Sequence, residues 1–160
     1  MKGFKISPRF VARAGIIAAV YTVLTLALQG ISYGPVQFRV AEALTVLPFV
    51  DPAAIPGVAL GCMFANLGSP LGWVDIVGGS FITLISAYLT HKAPNRYVAL
   101  LPPIVLNALG VPIYLAPAVG MPYWLVALQV GLGQLVVIGV LGLPVLSLYE
   151  RMMNRFFIKD

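Results

Sequence analysis

Three stretches of the chain, residues 14–38, 52–74 and 97–149, carry no formally charged side chain. About 20 apolar residues suffice to span a bilayer, so this pattern predicts several crossings. The last stretch is too long for one helix. Pro117, Gly120, Met121 and Pro122 mark a turn that divides it into helices over about 97–115 and 123–149. The first stretch follows Lys2, Lys5, Arg9 and Arg13 and continues past Gln29 without a small-residue cleavage pattern. That predicts a retained helix over about 9–31, not a removed leader. Asp51-Pro52 and Pro56 break the next region into pieces over about 36–50 and 53–68, each short for a straight span. A further helix over about 75–91 leads into the polar segment His91, Lys92, Asn95 and Arg96. The pattern therefore predicts an all-α integral membrane protein with six transmembrane helices in a single transmembrane domain, 1–160.

Composition agrees with this reading. The chain is 60% apolar and 9% charged, against roughly a quarter charged in soluble domains, which excludes a water-soluble globule. The net charge of +5 comes from basic residues at the ends of apolar runs. That distribution fits a lipid bilayer and not nucleic acid. Lys and Arg favour cytoplasmic loops, and six crossings with the N-terminus inside put nine of the ten basic residues there. Only Arg39 falls outside. A five- or seven-helix count would place a basic cluster on the wrong face, so both termini are expected in the cytoplasm. Trp73, Tyr123 and Trp124 then fall near the outer interface, where amphipathic rings prefer to sit. Cys62 is the only cysteine, so no disulfide forms within one chain.

Polar groups inside a membrane are costly unless paired, which makes each a candidate site. Gln37, Arg39 and Glu42 crowd the start of the second helix. Arg39 and Glu42 are three residues apart and can form an ion pair on a helix. Equally, Glu42 can accept N–H donors from a ligand while Arg39 contacts a ligand oxygen or steadies the carboxylate. Asp75 can cap the fourth helix or contact a ligand. Asn66, Asn107, Gln129 and Gln134 lie in apolar helices, where an amide must find a partner. Bonding between helices is the expectation for Gln134. Asn107 leans toward a ligand role because Pro102, Pro103, Gly110 and Pro112 loosen its helix. His91, Lys92 and Arg96 are read as an ordinary basic turn. Ala14 and Ala18, with neighbouring Gly15 and Ala19, make a small-xxx-small pattern that lets another helix approach closely.

Absences narrow the function further. No phosphate-binding Gly-x-x-x-x-Gly-Lys loop is present, so this chain is not expected to hydrolyse ATP. One His, one Cys and separated carboxylates give no convincing metal site, and no Gly-x-Ser-x-Gly elbow occurs. An enzyme is disfavoured.

The segment Pro35-Val-Gln-Phe-Arg-Val-Ala-Glu-Ala-Leu-Thr-Val-Leu-Pro48, with six helices and a small-residue first helix, resembles the QueT family of energy-coupling factor (ECF) S-components. The likeness runs nearly end to end. It implies an S-component bundle in the plasma membrane of a prokaryote, capturing a queuosine precursor from outside. Such precursors are 7-deazaguanines: the 7-aminomethyl and 7-cyano compounds, or queuine. It also implies a transmembrane coupling (T) protein docked on Ala14, Gly15 and Ala18, and two cytoplasmic ATPases holding ATP and Mg. This chain itself would carry no cofactor. On this reading Glu42, Arg39, Gln37, Asn107, Asn66, Asp75, Gln129 and Trp73 are the substrate-binding candidates. The alternatives are an S-component for another vitamin, or a small intramembrane enzyme or assembly factor built on Arg39, Glu42 and Asp75. Binding of riboflavin, biotin or thiamine would mark the first, and turnover of a ligand the second.

Overall fold

The computed structural model describes residues 7–32 and 38–156, and among these residues there are helices and no strand. In chain order the α-helices are α1 (Pro8–Ala27), the one-turn α2 (Gln29–Ser32), α3 (Ala54–Ala65), α4 (Trp73–His91), α5 (Leu101–Val119), α6 (Tyr123–Val137) and α7 (Leu143–Phe156). A 3-10 helix, Val40–Phe49, lies between α2 and α3, and a π-helical turn, Ile138–Gly142, joins α6 to α7. Among the described residues, four stretches are long and apolar enough to cross a membrane: Pro8–Ala27, Trp73–His91, Val98–Val119 and Tyr123–Arg155. The pieces around Asp51-Pro52, Val40–Phe49 and Ala54–Gly68, are shorter apolar helices.

Local chemistry explains where these helices begin and end. Ser7 caps α1, its hydroxyl accepting from the Phe10 N–H at 3.2 Å, and Pro8 follows in the first turn, where a missing N–H costs nothing. Pro56 also sits in a first turn, that of α3, and so begins a helix where the sequence suggested a break. Pro117 does not end α5. The helix continues to Val119 and closes on Gly120, whose φ of 67° is the left-handed conformation that glycine adopts without strain. Pro112 removes the N–H that the Ala108 carbonyl would accept. One residue further along, the Leu109 carbonyl accepts the Tyr123 hydroxyl at 2.7 Å.

The exterior is apolar, and polar side chains share the interior with an apolar core. Ile16, Phe81, Ile113, Leu128 and Val140 face outward, whereas Thr25, Thr45, Thr83, Ser86, Asn107 and Gln134 are buried. Lipid tails satisfy such an exterior as readily as a protein core would, so close packing between helices has to come from small residues. On α3, a Cβ added to Gly57 would lie 3.0 Å from the Ala14 carbonyl oxygen, and one on Gly61 would lie 2.7 Å from Tyr21 Cβ. The buried stripe of α1, Ala14, Ile17, Ala18, Tyr21 and Thr25, therefore packs directly on α3.

The 3-10 helix is the centre of the bundle, touching α1, α3, α4, α5, α6 and α7. Seven of its residues are buried. It rises about 2.0 Å per residue, against 1.5 Å in an α-helix, and residues three apart stack in line. That line runs from Arg39, its N-cap, through Glu42 and Thr45 to Pro48. At its far end the Pro48 carbonyl oxygen lies 2.8 Å from His91 Nδ1 at the end of α4.

Candidate functional site

Three helix beginnings or ends converge at the end of the bundle opposite His91. Arg39 caps the 3-10 helix, Asp75 lies in the first turn of α4 and Asn66 caps the end of α3. The three-residue period of the 3-10 helix puts Glu42 directly below Arg39. Tyr21 on α1, Asn107 and Tyr114 on α5 and Gln134 on α6 reach the same place. Arg39, Glu42, Cys62, Asp75, Gly79, Thr83, Asn107, Val111, Tyr114 and Gln134 line one cavity there, of about 10 Å³. That is room for about one water molecule.

Both oxygens of Glu42 are held. Oε1 accepts the Tyr21 hydroxyl at 2.5 Å and Oε2 accepts an N–H of the Asn107 amide at 3.2 Å. Glu42 is 3% exposed and Tyr21 is fully buried, so the carboxylate is fixed by groups that cannot swing into solvent. An ionised carboxylate has about four acceptor positions; these two bonds take two of them, and Glu42 lines the cavity.

Asp75 is arranged differently. Gly72, with φ of 61°, occupies the N-cap position of α4 and has no side chain to offer. The Asp75 carboxylate turns inward: Oδ1 accepts the Tyr114 hydroxyl at 2.8 Å, and Oδ2 lies 3.9 Å from Arg39 Nη2. That separation is an ion pair but exceeds the 2.7–2.9 Å typical of a charge-assisted hydrogen bond. Asp75 Oδ2 is buried and has no hydrogen-bond donor, and the same holds for Gln134 Oε1. Asn66 stands behind the cavity, donating to the Asp75 carbonyl at 2.8 Å and to Cys62 Sγ at 3.5 Å. Gly79 is needed for this closeness, because a Cβ there would sit 2.8 Å from Asn66 Nδ2 and 3.1 Å from Asp75 Oδ1.

Of the residues singled out from sequence, Arg39, Glu42, Asp75 and Asn107 line the cavity and Asn66 buttresses it. Gln129 is half-buried on α6 and outside the lining. Trp73 is 74% exposed at the start of α4, also outside the lining. Gln37 lies outside the described residues. Gln134, expected to bond to a neighbouring helix, lines the cavity, and its buried side-chain oxygen has no donor. Tyr21 was not foreseen, and the only sequence signal for it is its place on the buried stripe of α1. Among the described residues no group of three His, Cys, Asp or Glu is placed to hold a metal ion. Ala14 and Ala18 are buried against α3, whereas Gly15 and Ala19 face outward.

A sequence model described as the QueT transporter matches residues 11–151. The chain is also 44% identical over 72 residues to the queuosine precursor transporter QueT of Lactococcus lactis subsp. cremoris (strain MG1363). That match covers 44% of this chain and 42% of the relative, less than half of either length. No solved structure matches the chain. The family match runs over most of the sequence and takes in every residue that lines the cavity. With four helices long and apolar enough to cross a membrane, the chain belongs to the QueT transporter family and is a membrane-embedded, multi-pass protein.

Proposed function

We propose that this chain is the substrate-capture subunit of an ECF-type importer and binds a queuosine precursor, a 7-deazaguanine, in the cavity around Glu42. The observation that carries the reading is Glu42 itself, buried and held by Tyr21 and Asn107 with acceptor positions left open. A guanine edge presents adjacent N–H donors to such a carboxylate, and Arg39 or an amide meets its carbonyl. Tyr114 offers a ring for stacking. The cavity falls far short of the roughly 300 Å³ at the lower end of small-molecule pockets. Ligand entry therefore requires the helices around it to separate.

Six crossings, with both termini in the cytoplasm of a prokaryotic cell, are supported by the basic residues gathered at one side of the predicted topology. Ten residues of 3-10 helix reach about 20 Å, which helps a short segment cross. The substrate site then faces outward and the His91 end inward. Delivery to the cytoplasm is assigned to a T protein and two ATPases that hold ATP and Mg. On α1 the face open to a T protein carries Gly15 and Ala19 with Ile16 and Val23, while Ala14 and Ala18 support that face from behind. A Cβ added to Gly15 meets nothing within 4 Å. Gly15→Trp is thus expected to leave the isolated chain folded and able to bind ligand while preventing co-purification with the T protein. Normal co-purification would remove this face from the interface.

The test of the substrate reading is calorimetric titration of the detergent-purified chain with 7-aminomethyl-7-deazaguanine, with guanine as control. Selective binding is expected, weakened about tenfold or more in Glu42→Gln, the scale of one hydrogen bond to a charged group. No binding by the folded wild-type chain would overturn the substrate.

A further inference from the structure

The charges that line the cavity do not balance. Two carboxylates, Glu42 and Asp75, face one guanidinium, Arg39, and no other lining side chain among the described residues is charged. In a membrane interior an uncompensated charge is expensive, so a site left one positive charge short is built to be completed. The hydrogen bonds point to where the completion belongs. Glu42 already receives two donors. Asp75 Oδ2 receives none, and neither does Gln134 Oε1, although these residues are only 2% and 5% exposed. Both atoms are acceptors and both residues line the cavity, whereas Asn66 Oδ1, also without a donor, belongs to a residue behind the lining. Cys62 and Thr83 add no positive charge.

Resting on the deazaguanine reading above, we infer that the ligand is a cation: an ammonium group on the ligand docks at Asp75 Oδ2 and Gln134 Oε1 while the guanine edge meets Glu42. An ammonium nitrogen has three donors and no acceptor. It supplies the missing charge and has donors enough for both orphaned oxygens, which a nitrile or a hydroxyl has not. Among 7-deazaguanines the site therefore selects those with a protonated amine on the 7-substituent and discriminates against neutral ones. Asp75 and Gln134 become the specificity-determining pair, distinct in role from Glu42, which recognises the ring common to all of them.

The inference is tested by titrating the wild-type chain at pH 7 with three ligands that share the ring. These are 7-aminomethyl-7-deazaguanine, its neutral near-isostere 7-hydroxymethyl-7-deazaguanine, and 7-cyano-7-deazaguanine. The aminomethyl compound is expected to bind about tenfold or more tightly than either neutral one, the scale of a charge-assisted hydrogen bond. In Asp75→Asn that ratio should fall to within about threefold, and in Gln134→Leu it should narrow partway, with guanine-edge recognition retained. Equal or tighter binding of the hydroxymethyl or cyano compound by the wild-type chain overturns the inference and leaves the deazaguanine reading standing. That is the result expected if the site neutralises itself with a proton. If none of the three binds, the substrate reading fails and this inference fails with it. The wild-type comparison needs no variant to fold.

Discussion

Two buried carboxylates sit at opposite ends of this bundle and are treated in opposite ways. Asp51, 1% exposed, closes the 3-10 helix at the His91 end. Its Oδ1 accepts the Ala53 N–H at 2.9 Å, and its Oδ2 accepts the Tyr149 hydroxyl at 2.5 Å and pairs with Arg13 Nε at 3.0 Å. One anion meets one cation, both oxygens are occupied, and α1, α7 and the 3-10 helix are tied together. Asp75, at the other end, shares a single guanidinium with Glu42 and keeps one oxygen without a donor. A buried carboxylate with a partner on each oxygen fixes a structure, whereas one with an oxygen left over is costly to keep. The first arrangement belongs to the fold, and the second is consistent with a site that a ligand completes.

The same chemical change at the two aspartates should therefore have different consequences. Asp51→Asn removes the charge that Arg13 requires and leaves a cation largely buried, so stability is expected to fall by about 3 kcal/mol, the lower end for breaking a buried pair. Ligand selectivity should be untouched. Asp75→Asn lowers the excess negative charge of the site, and the ligand-free chain should stay within about 1 kcal/mol of wild type or gain stability, as commonly happens when a binding site is relieved. Thermal unfolding midpoints of the two variants in one detergent measure both effects. Equal losses would show that the carboxylates have the same structural role and would remove the contrast. Glu42→Gln sharpens it further: the free chain should again lose little stability, although binding drops about tenfold or more. A large loss of stability there would reassign Glu42 to the fold.

The sequence disclosed one of these two clusters and not the other, for physical reasons. Arg39 and Glu42 stand three apart in an otherwise apolar region, so their cost in lipid is visible without coordinates. Asp51 stands beside Pro52 and looks like a helix breaker, because its partners Arg13 and Tyr149 are 38 and 98 residues away. The apolar runs likewise revealed helices, but a 3-10 helix of ten residues has no periodicity signal in a segment buried on nearly every face. Gln134 was legible only as an amide in lipid. Whether such a group meets a neighbouring helix or a cavity depends on how the helices pack, which a single segment's sequence does not show. The small residues of α1 were legible as a packing face. Which pair faces inward is decided by Gly57 and Gly61 on α3, whose missing side chains admit Ala14, Ala18 and Tyr21.

The smallest effect expected concerns the joint between fold and site, Tyr21. Its ring belongs to the apolar cluster with Ile17, Val58 and Cys62, and its hydroxyl ends on Glu42. Tyr21→Phe keeps the ring and deletes the donor. Removing a donor in this way usually costs about 1 kcal/mol, more where the remaining partner is a buried charge. If the proposed ligand meets Glu42, the loss should be offset in part, since the ligand brings donors of its own to the vacated lone pair. The expected result is a stability decrease of about 1 kcal/mol in the free chain that shrinks when saturating ligand is present. Unfolding midpoints with and without 7-aminomethyl-7-deazaguanine read this directly. If ligand protects Tyr21→Phe no better than wild type, the ligand does not reach the oxygen that Tyr21 held, and the open acceptor positions of Glu42 lie on its Asn107 side alone.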